Sequence, residues 1–417
     1  MLDLKFIREN PDKVRQALKA KLVIADLDLL LRLDKNRRAL LQEVEEQKKI
    51  RNRVNGQIGL KKKKGESVQE LVTSISTVSQ KIDEIDRKVG DIDKSISTIL
   101  INIPNIPHET VPVSKDSSGN QVVREWGQKR QFGFEASDHL ELGRRLGWLS
   151  FERGAAVTGS AFPVFQGRGA RLVRALINFM LDLHTKKHGY EEVSVPHLVN
   201  RQSMFGTGQL PRLEGDMYAL KDDDYFLIPT AEVPVTNLFR DEMFEEKLLP
   251  RKLVAYTPCY RREAGSYGKE TKGLSRVHQF DKVELVKFVK PEGSLEELES
   301  LVKEAEAVLQ LLEIPYRVLL LSTADLSFAG MKGYDLEAWS SVSGRWHEVS
   351  SCTLFGDFQA RRMNIRYRPA GGAKSEYVHT LNGSGVALAR TVLCLMENFQ
   401  TASGGVEFPK ALRPYLD

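Results

Sequence analysis

Residues 253–287 read LVAYTPCYRREAGSYGKETKGLSRVHQFDKVELVK. Leu253 to Arg262 is rich in aromatic and β-favouring side chains and predicts a strand. Val277 to Phe288 predicts a second, with Val283, Leu285 and Phe288 set among polar residues. The loop between them carries Gly265, Gly268 and Gly273 interleaved with Lys269 and Lys272. Charge placement distinguishes this hairpin. Arg261, Arg262 and Glu263 close the first strand, and Glu284 lies within the second. Arginines at a strand end beside a basic, glycine-rich loop suit a phosphate with several oxygens, because a guanidinium fork can hold two of them at once. Carboxylates on the same sheet suit an ammonium group. A hairpin whose charges are merely solvated is the plainer alternative.

Downstream of the hairpin, residues 291–315, with SLEELESLVKEAEAVLQLLEI, predict an amphipathic helix and YRVLLLSTADLSF (316–328) a buried strand and its exit. A further run carries Glu337, Glu348, Ser350, Ser351 and Arg361–Arg362. HTLNGSGVALARTVLCLMENFQ (379–400) predicts a strand at His379, a turn through Asn382–Gly383–Ser384–Gly385, then a helix with Arg390 about two turns in. Free N–H groups at a helix start, together with an arginine, make a reasonable polyphosphate site. Upstream, FLIPTAEVPVTNLF (226–239) puts Thr230, Ala231 and Glu232 in an apolar, strand-like run, where a carboxylate needs a partner. A neighbouring cation is the ordinary partner; a ligand's ammonium is the sharper one. Leu172, Leu176, Phe179, Met180 and Leu183 predict a helix over 169–188, followed by a strand in GYEEVSVPHLV. Residues 103–120 read as loop, and Gly159 and Gly167 within 139–172 predict short strands or turns.

The N-terminal quarter is different. The chain's net charge of +5 is concentrated there: residues 1–110 hold 22 Lys+Arg against 17 Asp+Glu, and the rest holds 39 against 39. Apolar or long side chains recur in steps of three and four from Leu30 to Ile58 and again from Leu71 to Ile99. Two helices of about 30 residues, each about 45 Å long, would pack as an antiparallel coiled-coil hairpin. Lys61, Lys62, Lys63 and Lys64 stand at its tip, and Pro104 and Pro107 end it. Domains of 1–104 and 105–417 follow. Eight positive charges and no negative ones lie between Lys48 and Lys64, a surface that attracts a phosphate backbone. A dimerisation coiled coil is the alternative. Arg37, Gln47 and Arg51 at seam positions weaken it.

Three cysteines, Cys259, Cys352 and Cys394, form no CxxC pair, which speaks against a disulfide framework or a structural zinc and fits a reducing cytoplasm. No apolar run approaches the roughly 18 residues of a membrane span. The start, MLDLKFIRENPDK, lacks the apolar core of a secretory signal. GSYGKET at 265–271 has the wrong spacing for a P-loop.

The wording TPCYRREAGSYGKETKGL…HQFDKVEL resembles motif 2 of class II aminoacyl-tRNA synthetases, in the form found in seryl-tRNA synthetases. The 169–200 segment resembles motif 1, the family's dimer-building element, and 379–400 resembles motif 3. The resemblance implies an α+β fold: an antiparallel sheet flanked by helices, with an N-terminal arm that grips the long variable arm of tRNA. It implies an ATP-dependent ligase that joins L-serine to tRNA(Ser), and to tRNA(Sec) as well, in a cytoplasmic homodimer. By the same resemblance, Thr230, Ala231, Glu232, Arg261, Glu284, Asn382 and Ser384 bind serine. Arg261, Arg262, Glu263, Val277, Glu348, Val349, Ser350, Ser351 and Arg390 bind ATP. Arg261, Glu263 and Arg390 act in catalysis, Glu348 and Ser351 hold Mg2+, and Lys61 to Lys64 meet tRNA. The chain departs from the family pattern at Ala161, Ala324, Ser340, Ser341 and Leu354, none of them a residue assigned to ligand contact. Two other readings remain: an adenylating enzyme that loads a carrier protein, and an RNA-binding scaffold built on an inactive core. The intact arm opposes the first, and Arg261, Glu263, Glu284 and Arg390 oppose the second.

Overall fold

The computed structural model describes residues 1–264 and 272–416; Gly265, Gly268 and Lys269 of the expected loop lie outside them. The chain divides into two compact units, Met1–Pro104 and a second beginning at Asn105.

In the first unit, α1 (Leu4–Glu9) and α2 (Pro11–Ala20) precede two long helices, α3 (Leu27–Lys63) and α4 (Gln69–Leu100). Asp3 and Asp26 cap α1 and α3 by accepting from backbone N–H groups, which satisfies donors that the helix itself cannot. The two long helices run antiparallel. Arg37 pairs with Asp93, and Glu43 with Lys81 at 2.8 Å. Val44, Ile85 and Val89 form the hairpin's core, with Leu40 and Leu41 against it. Arg37 thus occupies its seam position by reaching an ion pair at the edge, not by entering the core. Lys61, Lys62 and Lys63 form the last turn of α3, Lys64 is its C-cap, and all four are exposed. Cations in a last turn also complement the negative end of the helix dipole.

The second unit is built on an eight-stranded sheet. Its members are β1 (Gln121–Trp126), β2 (Glu191–Glu192), β3 (Arg251–Tyr260), β4 (Gln279–Val289), β5 (Tyr316–Leu320), β6 (Lys332–Ser340), β7 (Arg345–Gly356) and β8 (His379–Ala387). Their order is β1-β5-β6-β7-β8-β4-β3-β2, antiparallel except where β2 runs parallel to β3. The helices are α5 (His139–Arg145), α6 (Phe151–Val157), α7 (Arg168–Lys187), α8 (Arg201–Thr207), α9 (Glu232–Asn237), α10 (Ser294–Leu311), α11 (Phe358–Met363) and α12 (Leu388–Asn398). One sheet face presents Val283, Leu285, Leu336 and Leu381 to Leu176 of α7, Leu301 of α10 and Val392 of α12 in the main core. The alternate residues of β4, Val286 and Phe288, join Ala231, Ala360 and Met363 in a second cluster on the other face.

Four expectations change. The strand expected over 189–199 is reduced to β2, Glu191–Glu192, and a separate short strand at Leu198–Asn200 that pairs elsewhere. The 139–172 region holds helices α5 and α6 because Asp138 and Ser150 cap them, accepting from the N–H groups of Glu141 and Arg153. Glu232 opens a short helix instead of sitting in a strand. Asn382–Gly385 continue β8 without a turn, so Arg390 lies in the first turn of α12. The glycines are there for close approach: a Cβ at Gly383 would lie 2.9 Å from Cys352 Sγ, and one at Gly385 would lie 3.0 Å from His184 Nε2.

Candidate active site

Register on β4 decides the site. Lys282 and Glu284 share the face opposite the main core, with Glu284 beside Ala255 of β3 and Ser384 of β8. The Glu284 carboxylate is wholly buried. It accepts hydrogen bonds from Asn382 Nδ2 at 3.0 Å and Ser384 Oγ at 3.4 Å, and it pairs with Lys282 Nζ. Lys282 Nζ also donates to Thr230 Oγ1 at 2.8 Å. Lys282 escaped the sequence reading; its signal was the i, i+2 spacing to Glu284, which puts both on one strand face.

Glu232 stands at the start of α9, buried, with Gln359 Nε2 donating to Oε1 at 2.6 Å and Gln209 Nε2 to Oε2 at 3.5 Å. Burial, and after it the Glu284 charge, push its pKa up to about 7, against the pull of Gln359, Lys282 and Arg261. Gln359, itself buried and held by Thr380 Oγ1 and the Thr207 carbonyl, is a second residue the sequence did not betray. Ala231 contributes no exposed side chain and packs in the core.

Arg261 follows the end of β3. Its backbone N–H donates to the His278 carbonyl at 2.9 Å, its Nε donates to the Pro229 carbonyl at 3.3 Å, and its guanidinium lies 5.3 Å from the Phe280 ring centre. These contacts bring it beside Thr230 and Glu232. Arg262 is exposed, and its backbone N–H donates to the Asp216 carbonyl at 2.9 Å. Glu263 takes a left-handed backbone at φ 51° and pairs with Arg276 Nε at 2.8 Å. Such a backbone is uncommon and costly for a non-glycine residue. Val277 and Val349 turn their side chains into the main core, so only their backbones can face a nucleotide.

Arg390 donates through Nε to the Ser275 carbonyl at 2.9 Å and through Nη1 to the Glu348 carbonyl at 2.6 Å. Glu348 is half exposed, with Oε2 3.5 Å from Arg390 Nη1. The Ser350 hydroxyl donates to the Ser384 carbonyl at 2.7 Å, which ties this strand to the Glu284 pocket. Asp335 lies directly across from Ser351 in the β6–β7 register and hydrogen-bonds its hydroxyl. The other oxygen, Oδ1, is buried without a partner. Burial, then the Glu348 charge, hold the Asp335 pKa well above the usual carboxylate range. A carboxylate, a hydroxyl and an orphaned buried carboxylate oxygen are hard donors that fit Mg2+. Among the described residues no three His, Cys, Asp or Glu side chains converge on one point. That arrangement fits an ion that completes its shell with waters and substrate phosphates.

Residues 1–107 match the model of the seryl-tRNA synthetase N-terminal domain, and residues 218–399 match that of the class II tRNA synthetase core domain (G, H, P, S and T). The chain is 55% identical to a serine–tRNA ligase of Caldanaerobacter subterraneus subsp. tengcongensis, over all of this chain and 98% of that protein. The chain belongs to the seryl-tRNA synthetase family. It is also 53% identical to a serine–tRNA ligase of Desulfitobacterium hafniense, over all of this chain and 99% of that protein. Among solved structures it matches the seryl-tRNA synthetase of Pyrococcus horikoshii complexed with ATP (TM-score 0.93, 37% identity, covering 100% and 98% of the two chains). It likewise matches the cytoplasmic serine–tRNA ligase of Naegleria fowleri in complex with AMP (TM-score 0.89, 29% identity, covering 100% and 97%). The fold is the α+β class II synthetase fold. Among the described residues no helix is long and apolar enough to cross a membrane.

Proposed function

We propose that this chain activates L-serine with ATP and transfers it to the 3′ end of tRNA(Ser). The observation that carries this reading is the wholly buried Glu284 carboxylate, ringed by Asn382, Ser384 and Lys282. A buried acceptor of this kind suits a substrate hydroxyl. Alanine in its place would leave those polar groups without the partner they are shaped for, whereas threonine meets only a size filter of about 1–3 kcal/mol.

A serine oxygen of the carboxylate attacks the α-phosphorus of ATP, the bond to the β-phosphate oxygen breaks, and pyrophosphate leaves. The ribose hydroxyl of the tRNA then attacks the acyl carbonyl of seryl-adenylate, loses its proton, and expels AMP. Neither step needs a protein nucleophile, so positioning and charge stabilisation do the work. Thr230 and Glu232 receive the ammonium, which supplies the charge that a buried Glu232 lacks. Glu284 and Ser384 take the hydroxyl, and Lys282 keeps Glu284 and Thr230 in place. Arg261 bridges the substrate carboxylate and the α-phosphate, Glu263 holds the adenine amino group, and Arg390 holds the γ-phosphate. Glu348 and Ser351 would hold Mg2+, which offsets triphosphate charge when bound.

The exposed Lys61–Lys64 tip suits a tRNA backbone. We place the protein in the cytoplasm as a homodimer. The test is ATP-dependent incorporation of labelled serine into acid-precipitable tRNA, with tRNA(Ser) and tRNA(Sec) supplied separately. Incorporation into tRNA(Ser) is expected, and none into either tRNA would refute the reading.

A further inference from the structure

A second network lies away from the substrate pocket. His139, the first residue of α5, is buried. Its Nδ1 stands 2.6 Å from Glu397 Oε1, and its Nε2 accepts from the Leu274 backbone N–H at 3.1 Å. A carboxylate can only accept and a backbone N–H can only donate, so these partners make Nδ1 the donor and Nε2 the acceptor. Glu397 also receives the His139 backbone N–H at 3.0 Å and the Ser340 hydroxyl. Burial would raise the Glu397 pKa, but the bonds from His139 and Ser340 outweigh it and hold the group ionised.

The geometry continues toward the nucleotide. Leu274 lies in the turn Gly273–Ser275, whose Ser275 carbonyl accepts from Arg390 Nε. Arg390 and Glu397 are seven residues apart on α12 and therefore share a face. One helix thus grips one three-residue turn twice, directly through Arg390 and through His139 from Glu397. Gly273 makes the close approach possible: its φ is +66°, and a Cβ there would lie 2.2 Å from His139 Nε2.

We infer that His139 is a positioning residue for ATP binding, holding the Gly273–Ser275 turn so that Arg390 is aimed at the triphosphate. This rests on the reading of Arg390 as the γ-phosphate ligand. The two ring nitrogens can be tested apart. His139→Asn keeps a donor where Nδ1 stands and loses the acceptor for Leu274. His139→Gln keeps an acceptor where Nε2 stands and loses the donor to Glu397.

The KM values for ATP and serine are measured by pyrophosphate exchange on both variants, on Arg390→Ala and on the parent. His139→Asn should raise the KM for ATP roughly three- to tenfold, the worth of one ordinary hydrogen bond, and leave the KM for serine unchanged. His139→Gln should restore the KM for ATP while melting at a lower temperature, since Glu397 loses a donor. An equal shift in both variants, or none in His139→Asn, would overturn the inference. Gly273→Ala attacks the same contact from the other side without touching Glu397, and an unchanged KM for ATP there would also overturn it. Loss of ATP binding in Arg390→Ala with none in His139→Asn overturns the positioning role alone. An unchanged KM for ATP in Arg390→Ala removes the reading beneath it.

Discussion

Serine binding should be coupled to release of a proton from Glu232. The folded-state pKa of about 7 lies above the ordinary carboxylate value of 4.5, with burial as the main cause. As pH rises through that interval the unfolded chain gives up its proton before the folded one, so in the free enzyme this group costs stability progressively between the two values. The serine ammonium supplies the missing countercharge and favours the ionised form. With a pKa of about 7, only about 3% of the free enzyme is ionised at Glu232 at pH 5.5, against about 90% at pH 8. Apparent serine affinity should therefore be roughly 30-fold weaker at pH 5.5 than at pH 8. Isothermal titration in buffers of different ionisation enthalpy should show about half a proton released per serine at pH 7. Glu232→Gln should bind serine weakly and without this pH dependence. The same Kd at both pH values, or the same proton release in Glu232→Gln, would refute the reasoning.

Lys282→Met strands the buried Glu284 carboxylate; breaking such a pair costs about 3–5 kcal/mol, so thermal melting should drop sharply and serine-dependent exchange should disappear. Replacing Lys61, Lys62, Lys63 and Lys64 with alanine should lower tRNA charging and leave exchange without tRNA intact. The salt dependence of tRNA binding should flatten by about one for each phosphate that the lysines no longer neutralise. Chelating Mg2+ should stop exchange, and Glu348→Gln should raise the Mg2+ concentration needed for half-maximal rate, as a metal titration would show.

Strong local patterns were legible in the chain. The Leu30–Ile58 and Leu71–Ile99 series appear as α3 and α4, because a seam of two long helices repeats often enough to be counted. The 253–288 hairpin appears as β3 and β4, and the register puts Glu284 between Ala255 and Ser384. What was hidden depends on neighbours distant in sequence. Gln359 carries no signal in the chain, because only the fold sets it against Glu232. Lys282 reads as a solvated strand position until β3 and β8 enclose it. Asn382–Gly385 has the composition of a turn, yet its small residues serve a strand squeezed between Cys352 and His184. Ser340, a departure from the family pattern, turns out to donate to Glu397. The helices α5 and α6 had visible caps at Asp138 and Ser150 that the neighbouring glycines outweighed.

The most direct test of the proposed activity is pyrophosphate exchange without tRNA, run in parallel with serine, threonine, alanine and glycine. Exchange is expected with serine, with only a weak response to threonine and none to alanine or glycine. No exchange with any of the four from a folded protein, or exchange with alanine as fast as with serine, would contradict it.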